Sequence, residues 1–182
     1  MPGSLFVISG PSGAGKGTLV SRVVKRIPSI WVSVSATTRA PRVGEVDGVS
    51  YVFMSTEEFE RTIKEGGFVE WARVHEHYYG TPVAPIKEHL EKGDDVLLEI
   101  DVQGAFQVRE KFPDAKLVFI APPSMEVLEQ RLRGRATDSE EEIARRLVNA
   151  RGEMEASSRY DEVIVNDDLD RATDMLVKVL ES

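Results

Sequence analysis

The run Gly10-Pro11-Ser12-Gly13-Ala14-Gly15-Lys16-Gly17-Thr18 has the composition and spacing of a loop that wraps phosphate. Its glycines let the main chain turn tightly and approach an anion, so that backbone N–H groups point inward. Lys16 is spaced to reach the outer phosphates of a nucleotide. Ser12, Gly13, Ala14, Gly15, Lys16, Gly17 and Thr18 are the expected cradle. Gly17 stands where a Ser or Thr normally meets Mg²⁺. Thr18, one step later, offers a hydroxyl from a different angle.

Arginines gather in two further places. Arg39 and Arg42 lie on a polar stretch that also carries Pro41 and Gly44. Arg131, Arg135 and Arg146 surround the short connection from Gly134 to Asp138. Guanidinium groups make forked contacts to phosphate, and phosphoryl transfer needs charge neutralisation and alignment more than covalent help. Arg133, Arg145 and Arg151 read as solvated surface charge. For Arg39 and Arg42, composition alone leaves phosphate binding and solvated loop charge evenly balanced.

The elements that must position these groups follow from patterning. Leu5-Phe6-Val7-Ile8 is an apolar strand before the loop, and the helix after it is predicted from Lys16 to Ile27, stopped by Pro28. Trp31–Ser35 and Tyr51–Met54 read as strands, with a loop over 36–45. Ser55 and Glu58 have capping-box spacing for a helix to Lys64. Phe68–Val74 is a strand, His75–Gly80 a loop or turn, and Val83–Lys92 a helix closed by Gly93. Val96–Asp101 reads as a buried parallel strand ending in an acid. A helix before Pro113 leads to the strand Leu117–Ile120. Helices capped by Ser124 and Ser139 reach Arg133 and Ser157, and Val163–Val165 and Leu169–Leu180 close the chain as strand and helix. Alternation at both ends predicts an α/β fold with a parallel sheet covered on both faces. Residues 36–90 break the rhythm and read as an inserted, partly antiparallel lobe, with Gly134–Asp138 as the place for a lid.

Composition narrows the class. The 182 residues suffice for one domain with a buried core. With 31 acidic against 23 basic residues, a net charge of −8 argues against a nucleic-acid polymer as partner, while a locally basic pocket for a small anion is compatible with it. The absence of cysteine rules out disulfides and thiolate metal sites. No apolar run reaches membrane-spanning length, and no membrane partner is expected; a cytoplasmic location is the default.

Taken together, the motifs resemble those of the guanylate kinases over nearly the whole chain. They are Gly10–Lys16, Ser33-Val34-Ser35-Ala36-Thr37-Thr38-Arg39, Pro41-Arg42-Val43-Gly44-Glu45, Tyr51, Phe68-Val69-Glu70-Trp71 and Tyr78-Tyr79-Gly80-Thr81. They continue with Ile100-Asp101-Val102-Gln103-Gly104, Phe119–Ser124, Arg131–Arg135 and Ile164-Val165-Asn166-Asp167-Asp168. The resemblance implies a three-layer P-loop kinase fold with a core of residues 1–35, 91–125 and 158–182, a GMP-binding lobe of 36–90 and a lid region of 126–157. It implies transfer of the γ-phosphoryl group of ATP to GMP, with dGMP as a further acceptor and Mg²⁺ as cofactor.

The resemblance also implies roles. ATP lies on the P-loop, with Asn166 at the adenine side. Arg39, Arg42, Tyr51 and Tyr79 meet the GMP phosphate. Ser35, Glu70 and Thr81 meet guanine, whose adjacent N1–H and N2–H₂ donors suit one carboxylate. Glu99 and Asp101 complete the acceptor side. Lys16, Arg39, Arg131, Arg135 and Arg146 carry the transfer. Thr18, and Asp101 through water, are the metal-side candidates. No general base is needed, because a phosphate oxygen is already anionic, so His75, His77 and His89 read as surface or loop residues. Two positions depart from the family pattern: Gly17 replaces its common Ser, and Glu99 its usual Asp. The Gly-Lys-Gly-Thr ending resembles adenylate kinases, so AMP as acceptor is the rival enzyme reading. A non-catalytic guanylate-kinase-like binding module is the rival from another class. The oligomeric state stays open.

Overall fold

The computed structural model describes residues 1–182. Its first strand, β1 (Leu5–Ser9), is buried at every position. The chain continues through α1 (Lys16–Arg26), β2 (Trp31–Val32), β3 (Ala36–Thr37), β4 (Val52–Phe53), α2 (Thr56–Lys64), β5 (Phe68–Val74), β6 (His77–Pro82) and α3 (Val83–Lys92). It ends with β7 (Val96–Glu99), α4 (Val102–Lys111), β8 (Lys116–Ala121), α5 (Met125–Gly134), α6 (Glu140–Ala156), a 3₁₀ turn at Ser157–Arg159, β9 (Glu162–Val165) and α7 (Leu169–Glu181).

Five strands form a parallel sheet in the order β2-β7-β1-β8-β9. Side chains alternate across it, as a pleated strand requires. Phe6 and Ile8 pack with Leu19, Val23, Leu176 and Leu180 on the α1/α7 side. Leu5 and Val7 pack with Ile86, Val102, Val108 and Phe119 on the α3/α4 side. A sheet buried on both faces gives near-continuous apolar strands, which is why β1, β7 and β8 stand out in the sequence. The result is a three-layer α/β core. β1 lies between β7 and β8, so the P-loop, which follows β1, leaves from the middle of the sheet.

The inserted residues build a second, four-stranded sheet in the order β4-β3-β6-β5. β5 and β6 are antiparallel, β6 and β3 antiparallel, and β3 and β4 parallel. Two expectations are corrected here. His75–Gly80 is not a loop: residues 77–82 form β6, and the turn is confined to the end of β5, where His75 has φ 57. Tyr78, Tyr79 and Thr81 are good strand formers, and Gly80 sits inside the strand because a β-carbon there would press on Phe68 and Phe59, at 2.9 and 3.0 Å. The strand expected over Trp31–Ser35 is only Trp31–Val32, and Ala36–Thr37, expected in a loop, pairs with β4 and β6 as the chain crosses between sheets. Phe59 anchors the small core of this sheet by stacking on Phe68 (4.3 Å) and Tyr78 (4.9 Å).

The two helices around the Gly134–Asp138 connection carry their own apolar seam of Leu128, Leu132, Ile143 and Ala150. Ser124 caps α5 by accepting from Val127 N–H. Ser139 and Glu142 form a complete capping box on α6, whereas Ser55 makes only the side-chain half of its box, accepting from Glu58 N–H.

Candidate functional site

The P-loop folds as its composition requires. Gly13 and Gly15 have φ of 91° and 87°, left-handed values that favour glycine, and Gly15 is the N-cap of α1. Asn166, at the end of β9, is 5% exposed, and its Nδ2 donates to Ala14 O at 2.8 Å. A side chain on Gly15 would run into that same Nδ2. Asn166 thus braces the loop from beneath, a job sequence reasoning did not give it. Lys16 Nζ donates to Gly10 O at 3.3 Å, curled over its own loop.

Arginines from the helical pair close on the loop. Arg131 donates to Gly13 O (3.4 Å) and Asn166 O (2.9 Å). Arg146 donates to Ser12 Oγ at 2.6 Å and faces Asp138 at 3.5 Å. Arg135 caps α5 and is exposed. Arg133 is tied to Glu129 and Glu140 on the surface, away from the loop. Gly13, Gly15, Thr18, Arg131, Asn166 and Asp167 line one pocket. Thr18 lines this pocket, which includes neither Glu99 nor Asp101.

The second phosphate candidate is built on the segment between β3 and β4. Arg39 makes a two-point pair with Glu45, Nη1 to Oε1 at 2.7 Å and Nη2 to Oε2 at 2.9 Å. The same carboxylate accepts from Arg42 N–H at 2.7 Å. Arg39 hydrogen bonding, followed by the Arg42 amide, holds the Glu45 carboxyl at about 2, well below the ordinary range; Glu45 in turn raises Arg39. The Arg39 guanidinium lies 5.2 Å from the centre of the Tyr51 ring, and Tyr51 meets Tyr79 edge-on at 6.2 Å. Arg39, Tyr51 and Tyr79 are thus one cluster, while Arg42 is exposed beside it. Glu45 is the functional residue that sequence reasoning missed; its spacing from Arg39 and Arg42 was the available signal.

Ser35, Tyr51, Thr81, Glu99 and Ile100 line a neighbouring cavity with Ser33 and Ser50. Glu70 Oε1 accepts from Thr81 Oγ1 at 2.6 Å. Burial is the main cause that raises the Glu70 carboxyl; the Thr81 bond opposes it and the nearby Asp101 charge adds to it. Asp101 caps α4, accepting from Gly104 N–H at 2.7 Å. A β-carbon at Gly104 would sit 3.0 Å from Asp101 Oδ1 and 3.1 Å from Glu70 Oε2. Gly104, inside α4, permits this contact: its lack of a side chain lets the Glu70 carboxylate approach the helix. Lys111 Nζ donates to Phe68 O and pins the same strand to α4.

Nowhere do three His, Cys, Asp or Glu side chains converge. Glu99 stands alone beside Gly17, its Oε1 3.7 Å from the position of a β-carbon there. This donor set fits a cation such as Mg²⁺, which binds through one or two carboxylates plus substrate phosphates rather than in an all-protein cage. No helix is long and apolar enough to cross a membrane.

The arrangement places two clusters of cationic side chains, at Lys16, Arg131 and Arg146 and at Arg39 and Arg42, on one chain with the half-buried Glu70 carboxylate. Comparison with known proteins bears on what they serve. A family profile described as "Guanylate kinase" matches residues 3–182. A guanylate kinase of Parasynechococcus marenigrum is 58% identical over 170 residues, 93% of this chain and 93% of that protein. One from Caldanaerobacter subterraneus is 52% identical over 98% of this chain and 86% of its own length. The crystal structure of guanylate kinase from Anaplasma phagocytophilum superposes with a TM-score of 0.73 at 36% identity, covering 99% of this chain and 85% of that one.

Proposed function

The chain belongs to the guanylate kinase family and transfers the γ-phosphoryl group of ATP to GMP, and from that premise we propose which of its residues do the work. ATP binds along Ser12–Thr18, with its phosphates on the loop N–H groups and the N-terminus of α1. Lys16 leaves Gly10 O for the outer phosphates. Arg146 leaves Ser12 and, with Arg131 and Arg135, meets the transferring group, where added positive charge stabilises the transition state. Asn166 serves ATP indirectly, by fixing the loop.

On the acceptor side, Arg39, Arg42, Tyr51 and Tyr79 take the GMP phosphate, and Ser35, Glu70 and Thr81 take guanine. The observation that carries this reading is Glu70: a half-buried carboxylate, oriented by Thr81, with its second oxygen turned toward the core. Guanine gives it two adjacent donors. Adenine has an acceptor at N1 and no 2-amino group, leaving the carboxylate unpaired, the situation that gives strong discrimination. Nothing in these contacts requires the 2′-hydroxyl, so dGMP is a second acceptor. Bound Mg²⁺, held by Glu99 and through water by Asp101, would neutralise the ATP phosphates. Thr18, in the first turn of α1 and lining the P-loop pocket, binds ATP and stays a metal-side candidate beside them.

Residues 36–90 form the acceptor lobe, 126–157 the lid, and the remainder the core. Two anionic substrates must meet with water excluded, which supports closure of lobe and lid over the core. Initial rates with ATP and Mg²⁺ across GMP, dGMP, AMP, UMP and CMP test the assignment. GMP and dGMP turn over and AMP does so at least about 10³-fold less efficiently. Comparable turnover of AMP would overturn the guanine assignment.

A further inference from the structure

Resting on the reading of the P-loop as the ATP side, we infer that Gly17 and Glu99 work as one unit. The Glu99 carboxylate stands within contact range of where a side chain at 17 would begin, and it provides the oxygen that a hydroxyl at 17 provides in an ordinary P-loop.

The backbone sets up the pairing. β7 runs beside β1 with Glu99 in register with Ile8, one residue before the strand ends and two before the P-loop begins. Val96, Leu97 and Leu98 are buried, and Glu99 is the first residue of the strand to emerge. It emerges over the first turn of α1. A β-carbon at position 17 would have a single non-neighbouring atom within 4 Å, Glu99 Oε1 at 3.7 Å. A hydroxyl one bond further out would come within hydrogen-bonding reach of that carboxylate and tie it to α1 instead of leaving it to a cation. Conversely, an aspartate at 99 would withdraw the carboxylate by one C–C bond, about 1.5 Å, and leave the space over Gly17 unfilled.

The chemistry points to a cation. Glu99 takes part in none of the ion pairs of the molecule. A bare carboxylate beside a polyphosphate is repulsive unless a cation lies between them, and a divalent ion turns that repulsion into shared coordination. Thr18, the other candidate replacement for the missing hydroxyl, lines the pocket of Asn166 and Arg131 instead. Glu99 also borders the acceptor cavity with Ser35 and Thr81, so it occupies the seam between the two nucleotide sites.

The test is a substitution cycle of wild type, G17S, E99D and G17S/E99D, with E99Q as a charge control. The readout is the dissociation constant of Mn²⁺ from the ADP complex, measured by electron paramagnetic resonance with no acceptor present. G17S and E99D each weaken Mn²⁺ about tenfold, the size typical of disturbed metal sites, and the double variant returns to within about threefold of wild type. E99Q keeps the length, keeps the melting temperature of the nucleotide-free protein, and still loses about tenfold in Mn²⁺ affinity. Independent losses that multiply in the double variant would overturn the pairing. Unchanged Mn²⁺ affinity in E99D or E99Q, with weakened GMP binding, would assign Glu99 to the acceptor pocket alone and also overturn it. Failure of ADP to bind wild type, or of wild type to phosphorylate GMP, would instead strike the underlying reading.

Discussion

On the P-loop side, Lys16 and Arg131 rest on neutral oxygens, Gly10 O, Gly13 O and Asn166 O, and Arg146 donates to Ser12 Oγ while facing Asp138 at 3.5 Å. On the lobe side, Arg39 is gripped at two points by the Glu45 carboxylate, which also holds the Arg42 amide. Charge-assisted, two-point pairs are stronger and more directional than bonds to neutral acceptors. The difference separates two ways of making an anion site. On the proposed assignment, the donor-side cations exchange these weaker bonds for arriving phosphates. Arg39 is already oriented, with Tyr51 against its face, and as the proposed GMP-phosphate site it needs little rearrangement. Among the donor-side cations only Arg146 faces a carboxylate, Asp138 at 3.5 Å, a longer contact than either arm of the Arg39–Glu45 pair.

The comparison can be broken at several points. Lys16→Ala removes the mobile donor charge and lowers kcat by about 10⁴-fold, in the range of losing a charge at a transferring phosphoryl group; steady-state rates at saturating GMP check it. Glu70→Gln lowers kcat/KM for GMP by about 10³-fold, because an amide cannot accept from both guanine donors. It also removes a pH limb. Burial raises the Glu70 carboxyl, so in wild type it protonates on acidification before an ordinary glutamate does, and GMP affinity falls with it. The GMP phosphate itself titrates near about pH 6 in both proteins, so the ratio of their dissociation constants isolates Glu70. That ratio narrows as pH falls; a ratio constant with pH would contradict the ionised role. For the unliganded protein the sign is opposite: with its folded value raised, ionising Glu70 costs stability as pH rises through that value.

Smaller effects sharpen the contrast. Gly104→Ala places a methyl group against Glu70 Oε2 and Asp101 Oδ1, and raises KM for GMP about 30-fold with little change in KM for ATP. Glu45→Gln keeps the shape of the Arg39 clamp and weakens its charge assistance, raising KM for GMP about tenfold and leaving kcat within about threefold. Glu45 stays ionised down to about 2, so this clamp contributes no pH dependence of its own in the weakly acidic range. Arg133→Ala, which cuts a surface network with Glu129 and Glu140, changes activity less than about twofold.

What was legible in the sequence divides along the same line. The P-loop, β1, β7 and β8 are written locally: glycines at fixed spacing and apolar runs buried on both faces announce themselves. The capping box at Ser139 is local too. The lobe is less legible, because its sheet is assembled from two-residue strands whose partners are distant in the chain. β6 was hidden because His75-Glu76 and Gly80 both read as turn residues, and only the contact of Gly80 with Phe59 and Phe68 tells them apart. The clamp role of Glu45, the brace from Asn166 to Ala14 O and the docking of Arg131 on Gly13 O all depend on tertiary approach. The clearance at Gly104 for Glu70 depends on it as well. Gly17 and Glu99 each read as an isolated departure in the sequence; only the fold places the Glu99 carboxylate 3.7 Å from where a side chain at 17 would begin.

The central claim is that the acceptor half is built independently of the mobile donor half. Calorimetric titration of GMP in the absence of any donor nucleotide, on wild type, Lys16→Ala and Glu70→Gln, tests it most directly. Lys16→Ala binds GMP within about twofold of wild type, whereas Glu70→Gln loses at least about 100-fold. Loss of GMP binding in Lys16→Ala, or its retention in Glu70→Gln, would contradict the account.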